Sequence, residues 1–208
     1  MSTRLLILGL DGAGYSHVAG LVDAGELPNI RSLAAEGSFG PLISTTPPIT
    51  GPAWLGLASG LDVDQTGIPD FLIRSGAGFG LRPISSRDFR GRTIWDALSS
   101  VGARVAVFNF PMLYPPYPLE GLMVSGFGTD ESTQWTYPDT LKAELLSEVG
   151  ADYGLTVNYH HAIYDDCDRF LDDLEASLTR RLKAAEFLCR KGPWDLFFCV
   201  LSETDWLL

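Results

Sequence analysis

Two aspartates stand just after apolar runs near the two ends of the sequence. Asp11 closes the run from Leu5 to Leu10, and Asp205 follows the run from Trp194 to Leu201. Short apolar runs are typical of buried strands in a parallel sheet, and ligands bind at the carboxyl ends of such strands. Two carboxylates at that edge could bind a hard divalent metal ion. The structural alternative is that Asp11 belongs to a turn and Asp205 caps a helix.

The third candidate residue is Thr50, a threonine in a proline-rich segment that leads into a short helix predicted over residues 53–59. The N-terminus of a helix offers unpaired N–H groups and partial positive charge to a phosphoryl oxygen. A threonine hydroxyl is a weak nucleophile at neutral pH, and coordination to a metal ion is one way to activate it. The alternative is that Thr50 is an ordinary N-cap.

These residues need elements that position them, and the apolar pattern predicts an α/β fold. Strands alternate with helices, which indicates a mostly parallel central sheet with helices on both faces. We predict strands at 5–10, 39–44, 104–110, 122–126 and 194–201, and helices at 15–24, 28–36, 53–59, 93–101, 138–148 and 166–190. Residues 61–92, rich in Gly, Ser and Arg, are predicted to form an excursion over the active-site edge, with strand-like pieces at 71–74 and 79–84.

The composition and net charge of the sequence argue against some classes of protein. A chain of 208 residues with 46% hydrophobic and 20% charged residues has the composition of a globular domain. Its net charge of -11 argues against binding to nucleic-acid duplexes and implies that phosphate binding would require cations. The sequence has no apolar run of ~18 residues and no signal-peptide pattern, so we expect no membrane association and a cytoplasmic location. The three cysteines lack metal-site spacing, and Cys199 is predicted to be a core residue.

Several long segments together resemble one known family. They are Leu6–Ala13, Gly25–Ile30, Gly40–Trp54, Arg92–Leu98, Phe110–Pro116, Met123–Thr129 and Trp194–Asp205. In this order they are similar to the type I phosphodiesterase/nucleotide pyrophosphatase family of the alkaline-phosphatase superfamily. The resemblance implies an alkaline-phosphatase-like fold and hydrolysis of small-molecule phosphate esters, of the phosphodiester or nucleotide pyrophosphate type.

The same resemblance assigns roles to the three candidate residues. Asp11 would bind one metal ion of a dinuclear site, and Thr50 would contact that ion and attack phosphorus, forming a phosphothreonine intermediate. Asp205 would bind the second ion. The implied cofactors are two divalent metal ions, with zinc expected first and manganese or iron as alternatives.

The sequence also departs from the family pattern. The family continues from the position of Asp205 as Asp-x-x-x-His, whereas this sequence ends at Leu208, and the later Asp-His pair and final histidine are absent. We therefore expect residues 1–208 to be a truncated N-terminal portion of a single catalytic domain, inactive by itself. Thr66 stands where the family often has histidine, Gly51 where it often has proline, and Asp70 aligns only loosely with a phosphoryl-binding asparagine.

Other polar residues are expected to be structural. His17, His160 and His161 match no ligand position of the family, and the acidic residues between 165 and 175 are expected to form a solvated helix start.

Three alternatives to this function can be considered. The first, a sulfatase, would need a Cys or Ser nucleophile followed by Pro and Arg, and residues 50–54 have neither that nucleophile nor that arginine. A nucleotide-binding module is suggested by the glycines of residues 9–14, although their spacing is GxxGxG. The third is a non-catalytic fragment or pseudoenzyme. The sequence does not indicate the substrate, the choice between monoester and diester, or the oligomeric state.

Overall fold

The computed structural model of the protein describes residues 4–76, 79–155 and 167–207. The strands are β1 (Leu5–Leu10), β2 (Leu72–Arg74), β3 (Leu81–Pro83), β4 (Val105–Phe110), β5 (Gly121–Ser125), β6 (Thr136–Tyr137) and β7 (Leu196–Leu201). The helices are α1 (Tyr15–Ala24), α2 (Pro28–Glu36), α3 (Thr50–Ser59), α4 (Val63–Thr66), α5 (Ile94–Ser100), α6 (Leu141–Val149) and α7 (Cys167–Arg190). Short 3-10 turns lie at Ser86–Asp88 and Asp205–Leu207.

The main sheet has the strand order β1-β7-β4-β5-β6, and the first four of these strands are parallel. The fifth strand, β6, runs antiparallel beside β5. The first and last long strands in sequence are therefore neighbours, with Leu10 opposite Leu201. This pairing brings the residues that follow both strands to the same edge of the sheet. The prediction of a mostly parallel α/β sheet is confirmed.

Helices cover both faces of the sheet, as predicted. Alternate residues of β7 point in opposite directions, because side chains of a strand have a period of two. Leu196, Phe198 and Val200 pack in one apolar cluster with residues of α3 and α5. Phe197, Cys199 and Leu201 pack in the other with residues of α6 and α7. The burial of Cys199, at 2% exposure, agrees with its predicted place in the core.

The prediction that β1 is buried was wrong. Leu5, Leu6 and Leu8 are 44%, 65% and 56% exposed, because β1 is an edge strand that, among the described residues, pairs with β7 alone. Within the described residues, α1 buries only Val22 and α2 buries no residue, so neither helix covers the strand closely.

The strand expected at 39–44 is also absent, and this segment is irregular. Leu42 and Ile43 are 84% and 94% exposed, and the segment belongs to neither sheet of the described chain. An extended segment without a strand beside it has no ladder of hydrogen bonds to hold it as a strand.

Residues 61–92 contain α4 and an antiparallel hairpin of β2 and β3, close to the expected strand-like pieces. Ile68, Ile84 and Phe89 anchor this segment in the cluster that includes α3 and α5. The segment thus packs largely on one face of the sheet. Within the described residues, no helix combines the length and apolar character needed to cross a bilayer.

Candidate active site at the carboxyl ends of β1 and β7

Asp11 is held by hydrogen bonds from several parts of the chain at the end of β1. Its backbone N–H donates to the Leu201 carbonyl at 2.9 Å, which continues the pairing of β1 with β7 by one residue. Its Oδ1 accepts from the indole N–H of Trp54 at 2.9 Å, and its carbonyl oxygen accepts from the Thr204 hydroxyl. The side chain, the backbone and the turn after β7 are therefore fixed relative to one another.

Two glycines permit the close approach of these groups. A Cβ on Gly12 would lie 2.6 Å from Asp205 Cα and 2.9 Å from Asp205 Oδ1, and Gly12 has a φ of +72°. A Cβ on Gly9 would lie 2.2 Å from Cη2 of Trp54. Glycine at these positions lets the Asp205 turn sit against Asp11 and lets the indole ring lie over β1 to reach the carboxylate.

Thr50 is the first residue of α3, and Ile49 occupies the N-cap position. The interpretation of Thr50 as an N-cap was therefore wrong. The first hydrogen bond of this helix runs from the Ala53 N–H to the Ile49 carbonyl, and Pro52 has no N–H. The amides of Thr50 and Gly51, and the Thr50 hydroxyl, have no hydrogen-bond partner within the described part of the chain. These three groups can donate to an anion at the helix N-terminus.

Asp11, Thr50 and Asp205 line the same cleft, whose volume is about 570 Å³. The charged residues that line it are Asp11, Asp62 and Asp205, and no Lys, Arg or His is among the described residues of its wall. Apolar residues form the rest of the wall, including Leu42, Ile43, Ile49, Leu57 and Leu61. An anionic phosphate would meet net negative charge here unless a cation were also bound.

The surroundings of Asp11 disfavour the charged form of its carboxyl. Burial raises the pKa of its carboxyl from 3.8 to about 6, and the Asp205 carboxylate acts in the same direction. Hydrogen bonds from the Trp54 indole and the Gly12 backbone partly oppose this rise, because they stabilise the charged form. A divalent cation would favour the charged forms of two such interacting carboxylates, in a cleft whose described wall holds no basic side chain.

The oxygen atoms of Asp11, Thr50 and Asp205 could provide part of the ligand set of such a cation. Two carboxylates and a hydroxyl form an all-oxygen set of the kind that hard divalent ions prefer. The described residues contain no group of three or more His, Cys, Asp or Glu side chains with metal-site geometry. Asp11, Thr50 and Asp205 therefore supply only part of a coordination shell, and the remaining ligands would come from other groups, water or the substrate.

The other polar candidates are not among the described residues that line the cleft. His17 is exposed on α1, and the Asp70 carboxylate accepts from the Phe71 N–H. The Thr66 hydroxyl donates to the Val63 carbonyl within α4. Of the described residues in the 61–92 excursion, Leu61 and Asp62 alone line the cleft. His160, His161, Asp165 and Asp166 lie outside the described residues.

Sequence reasoning missed the groups that support the site. Trp54 appeared only as part of a motif, and its contact with Asp11 depends on how α3 packs over β1. The buried ion pair of Arg181 and Glu203 was not foreseen either. A signal for it existed, because the buried stripe of α7 has heptad spacing and contains an arginine. That stripe consists of Phe170, Leu174, Ser177, Arg181, Ala184 and Leu188.

The sheet, the flanking helices and the acidic cleft at the strand ends define a mostly parallel α/β protein with a candidate site at the carboxyl edge of its sheet. Residues 5–208 match the model of the family "Type I phosphodiesterase / nucleotide pyrophosphatase", and the chain belongs to that family. The family prediction is thus confirmed.

A solved structure supports the fold. The structure of phosphonoacetate hydrolase from Sinorhizobium meliloti 1021, in complex with phosphonoformate, aligns with a TM-score of 0.69 at 19% identity. The alignment covers 98% of this chain and 47% of that one, so this chain spans about half the length of the neighbour. No curated protein sequence matches the chain significantly.

Proposed function

We propose that this chain carries the nucleophile and part of the metal site of a phosphate-ester hydrolase, with Thr50 as the nucleophile and Asp11 and Asp205 as metal ligands. The observation that carries the proposal is the shared cleft, in which a helix-terminal threonine faces two carboxylates of neighbouring parallel strands. The activity of the whole enzyme, and its use of phosphodiesters or nucleotide pyrophosphates, belong to the same proposal.

The charges of the cleft support a metal-dependent reaction. A phosphate ester is an anion, and the charged residues of the described cleft wall are all aspartates. Bound divalent cations would neutralise this charge, lower the pKa of the threonine hydroxyl and stabilise the leaving oxygen. Zinc is our first choice, and manganese and iron suit the same oxygen ligands.

The chain's own groups would perform the remaining tasks. The amides of Thr50 and Gly51 are oriented to donate hydrogen bonds to a phosphoryl oxygen. The Thr50 oxygen would form a bond to phosphorus while the bond from phosphorus to the leaving oxygen breaks, and the hydroxyl proton passes to solvent. Water would then hydrolyse the phosphothreonine and regenerate Thr50. Trp54 would keep Asp11 in one orientation throughout.

Metal binding by the chain itself is the first test. Zinc, manganese and iron(II) are added separately to the metal-free protein, and binding is followed by calorimetry and by the thermal midpoint. A ligand at 100 times its Kd should add about 2.7 kcal/mol of stability. Asp11→Asn and Asp205→Asn should remove most of this gain, whereas Asp139→Asn, an exposed carboxylate outside the cleft, should not. Equal metal binding by all four proteins would contradict the metal assignment.

The nucleophile is tested separately. Hydrolysis of bis(4-nitrophenyl) phosphate and 4-nitrophenyl phosphate is measured with metal and with chelator, and Thr50 is examined for covalent phosphate by mass spectrometry. Thr50→Ala should lower any metal-dependent turnover by roughly 10³-fold or more and abolish the phosphothreonine, while Thr50→Ser should retain part of the activity. Metal-dependent turnover that survives in Thr50→Ala would refute the assignment.

A further inference from the structure

Behind the cleft, α7 and the end of β7 are joined by an ion pair that is almost completely buried. Arg181 and Glu203 are 1% and 2% exposed, and the Arg181 Nε donates to Glu203 Oε1. The Ser177 hydroxyl donates to the same oxygen at 3.0 Å. Glu203 continues the face of β7 that carries Phe197, Cys199 and Leu201, so its side chain points into α7 and away from the cleft.

The arginine also contacts two further parts of the chain. Its Nη1 donates to Asn109 Oδ1 at 2.9 Å, and its Nη2 donates to the Leu155 carbonyl at 2.7 Å. The Asn109 amide in turn donates to the Val200 carbonyl at 2.7 Å. Asn109 has a φ of +59°, a conformation that Asn adopts more readily than most residues. The network therefore binds the chain at Val200 and at Glu203, on either side of Leu201, the last residue of β7.

Only one residue separates Glu203 from Asp205. The Asp205 N–H donates to the Ser202 carbonyl at 3.1 Å, and the Thr204 hydroxyl between them donates to the Asp11 carbonyl. The turn from Ser202 to Asp205 is thus attached to α7 on one side and to β1 on the other. The position of the Asp205 carboxylate in the cleft is determined by these two attachments.

We propose that the Arg181–Glu203 pair is a positioning device, which fixes the turn after β7 so that Asp205 faces Asp11 at the distance a bound cation requires. This inference rests on the proposed metal role of Asp11 and Asp205. A buried ion pair contributes little net stability, because desolvation of both charges offsets their attraction. Apolar residues of similar size often replace a buried ion pair without loss of stability, so we assign the role of this pair to the directed contacts that it makes.

The same reasoning selects the variants. A single substitution leaves one charge buried without its partner, and Glu203 Oε2 already lacks a hydrogen-bond partner within the described residues. The single variants are therefore expected to unfold readily. The double variant Arg181→Met with Glu203→Met removes both charges and retains apolar volume, so it is expected to fold. Leu188→Ala is the control, because Leu188 lies in the same buried stripe of α7, about two helical turns after Arg181, and packs in the apolar cluster.

Two readouts follow the position of Asp205. The first is hydrogen exchange of the Asp205 amide in the metal-free protein, compared with the Ile84 amide, which donates to Phe71 at a distant hairpin. The second is the affinity for Mn²⁺, measured by water-proton relaxation. In the double variant we expect exchange at Asp205 to be at least about tenfold faster with Ile84 unchanged, and Mn²⁺ affinity to fall about 10- to 100-fold, as for other residues that orient metal ligands. Leu188→Ala should change neither selectively.

The outcomes separate this inference from the proposed function. A folded double variant that keeps both the exchange rate at Asp205 and the Mn²⁺ affinity of the unmodified protein would overturn the inference. So would a Leu188→Ala protein with the same selective changes. If the unmodified chain does not bind Mn²⁺ but exchange at Asp205 still accelerates in the double variant, the metal role fails and the positioning role stands.

Discussion

Replacing Asp11 by asparagine is expected to stabilise the metal-free protein at neutral pH, although it removes a residue of the candidate active site. The pKa of Asp11 is raised from 3.8 to about 6, first by burial and then by the Asp205 carboxylate. The folded state therefore holds the proton more tightly than the unfolded chain. As the pH rises from about 4 to about 6, the Asp11 carboxyl must ionise in surroundings that disfavour its charged form. The folded state therefore loses stability over this pH range.

The size of the effect follows from the same values. A pKa change of one corresponds to 1.36 kcal/mol, so the rise at Asp11 is worth about 3 kcal/mol above pH 7. At pH 4.5 the penalty is about 1 kcal/mol, since most of it has not yet developed. Asparagine retains a carbonyl oxygen for the Trp54 indole and carries no charge. The free energy of unfolding of Asp11→Asn should thus be about 2–3 kcal/mol higher than that of the unmodified protein at pH 7.5. The change in this free energy between pH 4.5 and pH 7.5 should be about 2 kcal/mol smaller in the variant.

Urea unfolding in chelator at pH 4.5 and pH 7.5 measures both quantities. Asp139→Asn provides the matched control, because its carboxylate is exposed, and it should differ from the unmodified protein by no more than about 0.5 kcal/mol. Excess Mn²⁺ at pH 7.5 should reverse the order, because it stabilises the unmodified protein and not Asp11→Asn. If Asp11→Asn is less stable than the unmodified protein at pH 7.5, or keeps its full pH dependence, the account of this carboxylate is refuted.

Two further substitutions test the support of the site. Trp54→Phe removes the indole donor, so the pKa of Asp11 should rise further by an amount worth about 1 kcal/mol. Carboxyl ¹³C shifts during a pH titration measure this pKa. An unchanged or lower pKa would contradict the hydrogen bond. Gly9→Ala would place a Cβ 2.2 Å from the Trp54 ring and should cost about 1–3 kcal/mol in urea unfolding. Gly20→Ala, in α1 with open space around it, should instead gain up to about 1 kcal/mol, and equal effects of the two would exclude the close contact.

Much of the fold could be predicted because its signals are local. The apolar run of β1 and the glycine and proline signals around α1 and α2 gave the bounds that the structure shows. The carboxyl-end positions of Asp11 and Asp205 also follow from the sequence, since each residue comes after an apolar run. Two such runs in a parallel sheet must deliver their following residues to one edge, whatever lies between them.

The burial of each strand could not be read in this way. The apolar character of β1 predicted a central strand, whereas the structure places it at an edge with three leucines exposed. Strand order is decided by which strands pair across the whole chain, and the composition of a single strand does not contain that information. Local composition likewise did not predict the irregular conformation of residues 39–44. These residues suit a strand, but within the described residues no strand lies beside them.

The sequence by itself determined the family, the α/β class and the residues that follow each long strand, because these depend on short-range patterns. Only the tertiary structure decided what surrounds those residues. Trp54 is 43 positions from Asp11, and Arg181 is 72 positions from Asn109. Contacts of this kind form only when helices pack on a sheet of a particular strand order. In the folded protein, burial raises the pKa of the Asp11 carboxyl, whereas the buried Glu203 carboxylate is paired with Arg181. The chemistry of similar acidic residues therefore differs with the packing around them.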